Sequence, residues 1–250
     1  MPTFTERASG SALKAGASVL HGLERLLLRS SLVPTTPFLD PALLPWTAEL
    51  EGHWHEVRAE LDAVLEHHDA LPNFQDISTD QATITDDDRW KTFFLFGFGF
   101  RSDANCARCP RTAELIERVP GMTTAFFSIL SPGKEIGAHR GPYRGLLRYH
   151  LGLRVPEPAS AAGINVGGQV AHWQEGGSLL FDDGYEHFAW NGTDGVRVVL
   201  FMDVERPLRR PAADINRAVL RTVAASPFVR DAKRRELAWE RRFEAMARPW

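Results

Sequence analysis

Between Met122 and Val204 the chain carries seven short strand-like runs separated by glycine- and proline-rich punctuation, and this spacing limits the fold more than any other feature. The runs are Thr123 to Leu130, Gly145 to Val155, Gly163 to Val166, Gln169 to Trp173, Ser178 to Phe181, Glu186 to Trp190 and Val196 to Val204. An aromatic run from Trp90 to Phe98 precedes them. Many short strands with turns at regular intervals specify a sandwich or barrel. The expected fold is mainly β: a double-stranded β-helix, a cupin-like jelly roll, with helices flanking it at both ends. We expect one domain, with residues 1–84 as helical support, 85–207 as the core and 208–250 as C-terminal helices.

The flanks carry helical periodicity. Ser11 to Leu32 places Leu13, Val19, Leu20, Leu23, Leu26 and Leu27 on one side, next to Lys14, Arg25 and Arg29. The expectation is a helix docked on the core; peripheral contact with a membrane is the alternative. Pro34, Pro37, Pro41 and Pro45 break the chain before a second helix from Leu43 or Trp46 to Glu66. Residues 71–88 read as a turn-rich loop and 102–112 as another; Pro110 to Arg118, Asp214 to Val223 and Asp231 to Met246 read as helices. A net charge of -3 gives no argument for nucleic acid as partner. Two cysteines in 250 residues make no disulfide framework, and the early residues lack a secretory pattern, so the expected location is cytoplasmic, with peripheral membrane contact as the variant. Cys106 and Cys109 have CxxC spacing without a second pair or a redox context, and His53, His55, His67 and His68 lack a completing pattern, so both groups are expected to be structural or surface residues.

The chemistry-bearing residues lie in the β region. His139 and His187 are far apart in sequence, each at the edge of a strand-like run. Imidazole suits Fe(II), and a non-haem iron site needs few protein ligands on one side of the metal. The usual set is His-x-Asp with a distant His, but here Gly141 stands at the carboxylate position. Arg148 and His150 are two apart on one strand and share a face; facing inward they need an anionic ligand or a partner, and the alternative is a surface face on an edge strand. Arg197 follows His187 by ten positions, across the turn Asn191-Gly-Thr-Asp-Gly195. A hairpin centred on Gly192 pairs His187 with Arg197 across two strands, putting a metal ligand and a carboxylate-binding fork in one cavity. Ser128, in an apolar strand, is either a core hydroxyl or a ligand donor.

At these residues the chain resembles the aspartyl/asparaginyl β-hydroxylase family of Fe(II)/2-oxoglutarate oxygenases. The matching pieces are Phe127-Ser-Ile-Leu-Ser-Pro-Gly133, His139-Arg-Gly-Pro142, Leu147-Arg-Tyr-His-Leu-Gly-Leu153, Trp173-Gln-Glu-Gly176, Leu180-Phe-Asp-Asp183, Glu186-His187, Trp190 and Val196-Arg-Val-Val-Leu-Phe-Met-Asp203. The resemblance implies that His139 and His187 hold iron, with water completing the shell opposite Gly141. It implies that Arg197 and Ser128 hold the far carboxylate of the co-substrate 2-oxoglutarate, that Arg148 and His150 lie near its chelating end, and that Trp90 borders the site. Dioxygen is the second co-substrate. The same motifs resemble the bacterial lipid A hydroxylase branch, which carries Asp where Gly141 stands and a hydrophobic N-terminal anchor. The implied substrate is an amino-acid or peptidyl group or a lipid acyl chain. Rival readings are a jelly-roll metalloenzyme of another class and a non-catalytic binding module. Substrate specificity is expected from loops 71–89, 102–109 and 140–145.

Overall fold

The computed structural model describes residues 21–97 and 99–246, without the side chains of 80, 81 and 244–246. Its strands are β1 Phe38–Leu39, β2 Trp90–Gly97, β3 Phe100–Arg101, β4 Met122–Leu130, β5 Lys134–His139, β6 Leu146–Arg154, β7 Ala162–Val166, β8 Gln169–Ala171, β9 Ser178–Phe181, β10 His187–Asn191 and β11 Arg197–Glu205. They form two antiparallel sheets, a large one in the order β1-β9-β6-β11-β4-β2-β3 and a small one in the order β5-β10-β7-β8. This is the mainly β, jelly-roll architecture expected from the spacing of the runs.

The register divides the large sheet into two chemically different faces. On one face Phe93, Phe127, Leu200 and Leu151 stand in a row, all fully buried. Helices cover this face: Trp46 of the helix Trp46–Gly52 meets Tyr149 edge-on at 5.0 Å, and Trp239 of the helix Pro227–Met246 meets Phe93 at 6.3 Å. The opposite face carries Phe94, Phe126, Phe201 and His150 in one row. Successive ring centroids lie 4.6, 4.3 and 5.1 Å apart. Each such buried side chain contributes about 1.5–3 kcal/mol through area removed from water, so both faces hold the sheet together. The second also carries Arg148, His150, Arg197 and Asp203.

Several elements differ from the sequence expectation. The helix expected to run unbroken from Trp46 to Glu66 is interrupted at Gly52-His53 and resumes as Trp54–Leu65; glycine is a poor helix former and His53 leaves the helical region at φ -109°. The loop expected at 102–112 contains a helix, Asp103–Arg108, capped where the Ser102 hydroxyl accepts the Asn105 amide at 3.1 Å. The first part of the helix expected from Ser11 lies outside the described residues, and 21–29 are helical. Strand β5 was not among the expected runs; it is a charged edge strand containing Gly137, and such strands read weakly.

The expected hairpin between His187 and Arg197 does not form. Strand β10 pairs with β5 and β7 in the small sheet, and β11 pairs with β4 and β6 in the large one. The turn at 191–196 therefore crosses between sheets. Asn191 supports the crossing, its Nδ2 donating to Leu130 O at 2.9 Å and Gly195 O at 2.9 Å, while its Oδ1 accepts the Thr193 hydroxyl at 2.7 Å.

Cys106 and Cys109 are buried and unpaired, and burial pushes the Cys106 thiol up to about 11 and Cys109 in the same direction. His53 contacts Glu56 at 2.7 Å and His67 packs edge-on against Phe243.

The C-terminal helix docks through two buried carboxylates. Asn105 Nδ2 donates to Glu236 Oε1 at 3.1 Å, and the Ser102 hydroxyl donates to Glu240. Glu236 Oε2 has no partner, and burial, reinforced by the Glu240 charge, holds its carboxyl well above the usual range. A carboxyl whose folded-state value is raised contributes fully while protonated and loses that contribution as pH rises. We expect Glu236→Gln to leave thermal stability unchanged at about pH 4 and to raise it at about pH 8 by roughly 1–3 kcal/mol, read from melting curves at the two pH values.

Candidate active site

The paired histidines come from the two ends of adjacent strands in the small sheet. His139 closes β5, His187 opens β10, and the two are direct register partners with ring centroids 4.1 Å apart. Each ring is oriented by its own backbone: His139 Nδ1 bonds Gly137 O at 2.8 Å and His187 Nδ1 bonds Tyr185 O at 2.9 Å. A carbonyl only accepts, so each Nδ1 carries the proton and each Nε2 keeps a free lone pair. Both rings are held neutral. Burial lowers the His139 pKa, with the Arg148 charge adding to it and the Gly137 bond opposing it. Burial and then the Arg148 charge push His187 down to about 3. Among the described residues no set of three His, Cys, Asp or Glu side chains is placed to hold a metal ion, so the pair offers two nitrogen donors.

The second pole lies on the inner face of the large sheet. Arg197 is 2% exposed and has no acidic partner among the described residues. Its guanidinium lies 4.2 Å over the buried Trp173 ring, its only hydrogen bond is Nη1 to Ser128 O at 3.4 Å, and its Nε has none. Burial alone pulls its pKa down to about 9. Beside it, Trp90 Nε1 donates to Ser128 Oγ at 3.1 Å, which leaves the serine proton available. Trp173 Nε1 donates to His150 Nδ1 at 3.3 Å, so the neutral His150 ring carries its proton on Nε2, a buried atom without a partner. Burial first, then the Arg197 and Arg148 charges, holds His150 well below its ordinary value. A buried cation flanked by two spare donors is chemically suited to an anionic partner.

Arg148 has a different environment. Its Nε donates to Asp203 at 2.9 Å and its Nη2 lies 3.0 Å from Asp183, with the guanidinium 4.4 Å over Phe201. The partner that an inward Arg148 requires is thus supplied by the protein. Asp183 Oδ1 has no hydrogen bond, and burial pushes the Asp183 carboxyl up to about 6 against the pull of Arg148. This carboxylate fills the space beside Gly141: a Cβ there would meet Asp183 Oδ2 at 2.1 Å. The Gly141 amide also donates to Asp183 O at 2.8 Å. The glycine at the expected carboxylate position is therefore what lets a carboxylate from the 182–186 loop approach the His139 strand. Gly141→Ala is expected to displace the Asp183–Arg148 pair and cut turnover on the order of 10²-fold, as an ångström-scale misplacement does. Steady-state rates against a melting curve separate this from unfolding.

Behind this pair Asp182, fully buried, takes Arg144 at 2.5 Å and Arg206 at 2.6 Å and ties the 140–145 loop to the end of β11. The 71–89 segment borders the pocket as well. Phe74 packs against Trp90 at 4.7 Å and Phe126 at 5.3 Å, and Lys134 on β5 holds Thr85 at 2.7 Å and Asp87 at 2.9 Å.

The structure thus gathers His139 and His187 at one pole, Ser128, His150, Arg197 and Trp90 at the other, and Arg148 next to the histidines. Residues to which the sequence assigns no role are Trp173, Asp183 and Asp203. All three sit in matched motifs, yet only their side-chain contacts with Arg197, His150 and Arg148 show that they line the site.

The molecule is a jelly-roll protein with a two-histidine pole and, on the inner face of its large sheet, a buried arginine that has no acidic partner among the described residues. It belongs to the aspartyl/asparaginyl beta-hydroxylase family, whose family model matches residues 51–207. The chain is 49% identical over 230 residues to the ornithine lipid ester-linked acyl 2-hydroxylase of Rhizobium tropici, covering 92% of this chain and 82% of that protein. It is 30% identical over 167 residues to the aspartyl/asparaginyl beta-hydroxylase of Homo sapiens, covering 65% of this chain but 21% of the human protein. Among solved structures it is similar to a Pseudomonas putida prolyl-4-hydroxylase at TM-score 0.39 and 18% identity, over 61% of this chain and 87% of that one; nothing rests on so slight a likeness. The hydroxylase relatives support an enzyme.

Proposed function

We propose that the chain is an Fe(II)- and 2-oxoglutarate-dependent hydroxylase acting on the ester-linked acyl chain of an amino-acid-containing lipid. The observation that carries the chemistry is Arg197, a buried cation with no acidic partner among the described residues. The lipid class is supported by the extent of the likeness to the Rhizobium tropici protein, which spans nearly the whole of this chain.

The residues fit both groups. His139 and His187 would hold Fe(II) through the nitrogens their backbone bonds leave unprotonated. The bound iron supplies dioxygen activation and the oxidation that couples 2-oxoglutarate decarboxylation to C–H hydroxylation. Arg197 pairs with the far carboxylate of 2-oxoglutarate, and the Ser128 hydroxyl donates to the same group. Trp173 covers the guanidinium face and keeps water from it. His150 Nε2–H donates towards the bound anion. Asp203 and Asp183 hold Arg148 against the Phe201 ring and fix the wall beside the histidines.

The test is direct. Full-length protein with Fe(II), 2-oxoglutarate and an ornithine lipid is expected to add one oxygen to the ester-linked acyl chain and release succinate in step. Succinate release with oxygen appearing on an Asp- or Asn-containing peptide instead would move the substrate to the peptidyl class. No succinate from any of these would return the fold to a non-oxygenase or binding role.

A further inference from the structure

No helix among the described residues is long and apolar enough to cross a membrane, yet a lipid acyl chain lies in a bilayer. Beside the 140–145 loop the surface is built to meet one. The helix at 21–29 turns Leu27 inward onto Leu208 and Ala212, with Leu23 and Tyr143 packed at the edge. Its outer side leaves Leu26 exposed, and Leu32 and Ile215 are exposed beside it. Backbone bonds weld these parts into one face: Leu32 N to Pro207 O at 2.9 Å and Arg209 N to Ser30 O at 2.8 Å. Tyr143 donates to Asn216 Oδ1 at 2.7 Å, and Asn216 Nδ2 donates to Gly145 O at 2.9 Å. The loop that leaves His139 is therefore strapped to this face.

The charge on it is one-sided. Arg25, Arg29 and Arg209 are exposed and have no acidic partner among the described residues. Arg210 and Arg217 share Asp214 at 3.6 and 3.4 Å, and Glu24 is taken by His21 at 3.6 Å. Exposed leucines ringed by unpaired arginines complement an acyl boundary beneath anionic head groups.

We propose that the face formed by residues 21–32 and 206–217 docks the enzyme on an anionic phospholipid bilayer, presenting the His139 loop to the leaflet. The proposal rests on the reading that the substrate is a lipid acyl chain. Flotation of the full chain with vesicles of phosphatidylcholine, alone or mixed with phosphatidylglycerol, tests it. The wild type is expected to float with the mixed vesicles, to release them at high salt and to ignore the neutral ones. The triple variant Arg25→Gln, Arg29→Gln, Arg209→Gln is expected to lose about 10²-fold in partitioning, near fivefold for each arginine, and Leu26→Ser with Leu32→Ser to weaken it further. Both are expected to hydroxylate detergent-dispersed lipid at the wild-type rate. Undiminished flotation of these variants overturns the docking face. So does an equal loss from Phe188→Ser, on the outer side of the small sheet, or a self-association through these residues that hides them. Flotation that obeys the prediction without hydroxylation of dispersed lipid keeps the face and sinks the substrate reading.

Discussion

Arg197→Ala is expected to weaken 2-oxoglutarate binding by about 10²–10³-fold, the scale of removing one partner from a buried, hydrogen-bonded charge pair. Isothermal titration with the iron-loaded protein measures it. The same variant is expected to behave unusually in the absence of co-substrate. A buried charge without a counter-ion is costly to keep, and Arg197 has only one long hydrogen bond and a ring face to offset it. Removing it leaves a cavity under Trp173 but also removes that desolvation, so the melting temperature of the ligand-free protein is expected to hold or rise. Most buried truncations lower it. A variant that melts well below the wild type while still binding 2-oxoglutarate would make Arg197 a structural residue and leave the co-substrate pocket without its anchor.

The second large effect is expected at the histidine pair. His187→Ala and His139→Ala should each cost turnover more than about 10²-fold, beyond the roughly 10–100-fold typical of outer-shell changes, and each should lose Fe(II) binding by titration. The folds should survive, because each Nδ1 bond is made to a carbonyl two residues back in its own strand region and holds no distant element in place. Full turnover by either variant would remove the metal assignment altogether.

The jelly roll and the residues at its poles were legible because turn residues and β-forming runs are local signals. The alternation of Arg148 and His150 against Leu147, Tyr149 and Leu151 is likewise local, and the register agrees with it. Three things were not legible. The pairing of His187 with Arg197 failed because sequence shows that a turn exists but not whether its arms stay in one sheet; the Asn191 side-chain bonds that bend it across are made to Leu130 and Ser131, some sixty residues away. The partners of Arg148 were missed because Asp183 and Asp203 lie 35 and 55 positions downstream. The reason for Gly141 was missed because it is the volume of another residue's carboxylate. Each of these is a non-local packing fact, and pattern reading has no access to such facts.

That crossing turn also makes the site a property of closure. His187 opens the small-sheet strand that leads into it and Arg197 begins the large-sheet strand that follows it, so neither sheet alone holds both poles. The spacing between the poles is set by how the two layers seat on each other, and the chain between them is only nine residues long. Breathing of the four-stranded layer away from the seven-stranded one would take the histidines from the arginine while leaving each layer's own ladder intact. Catalytic competence in this barrel is then a late event in folding, reached when the layers meet, and an early one to be lost on heating.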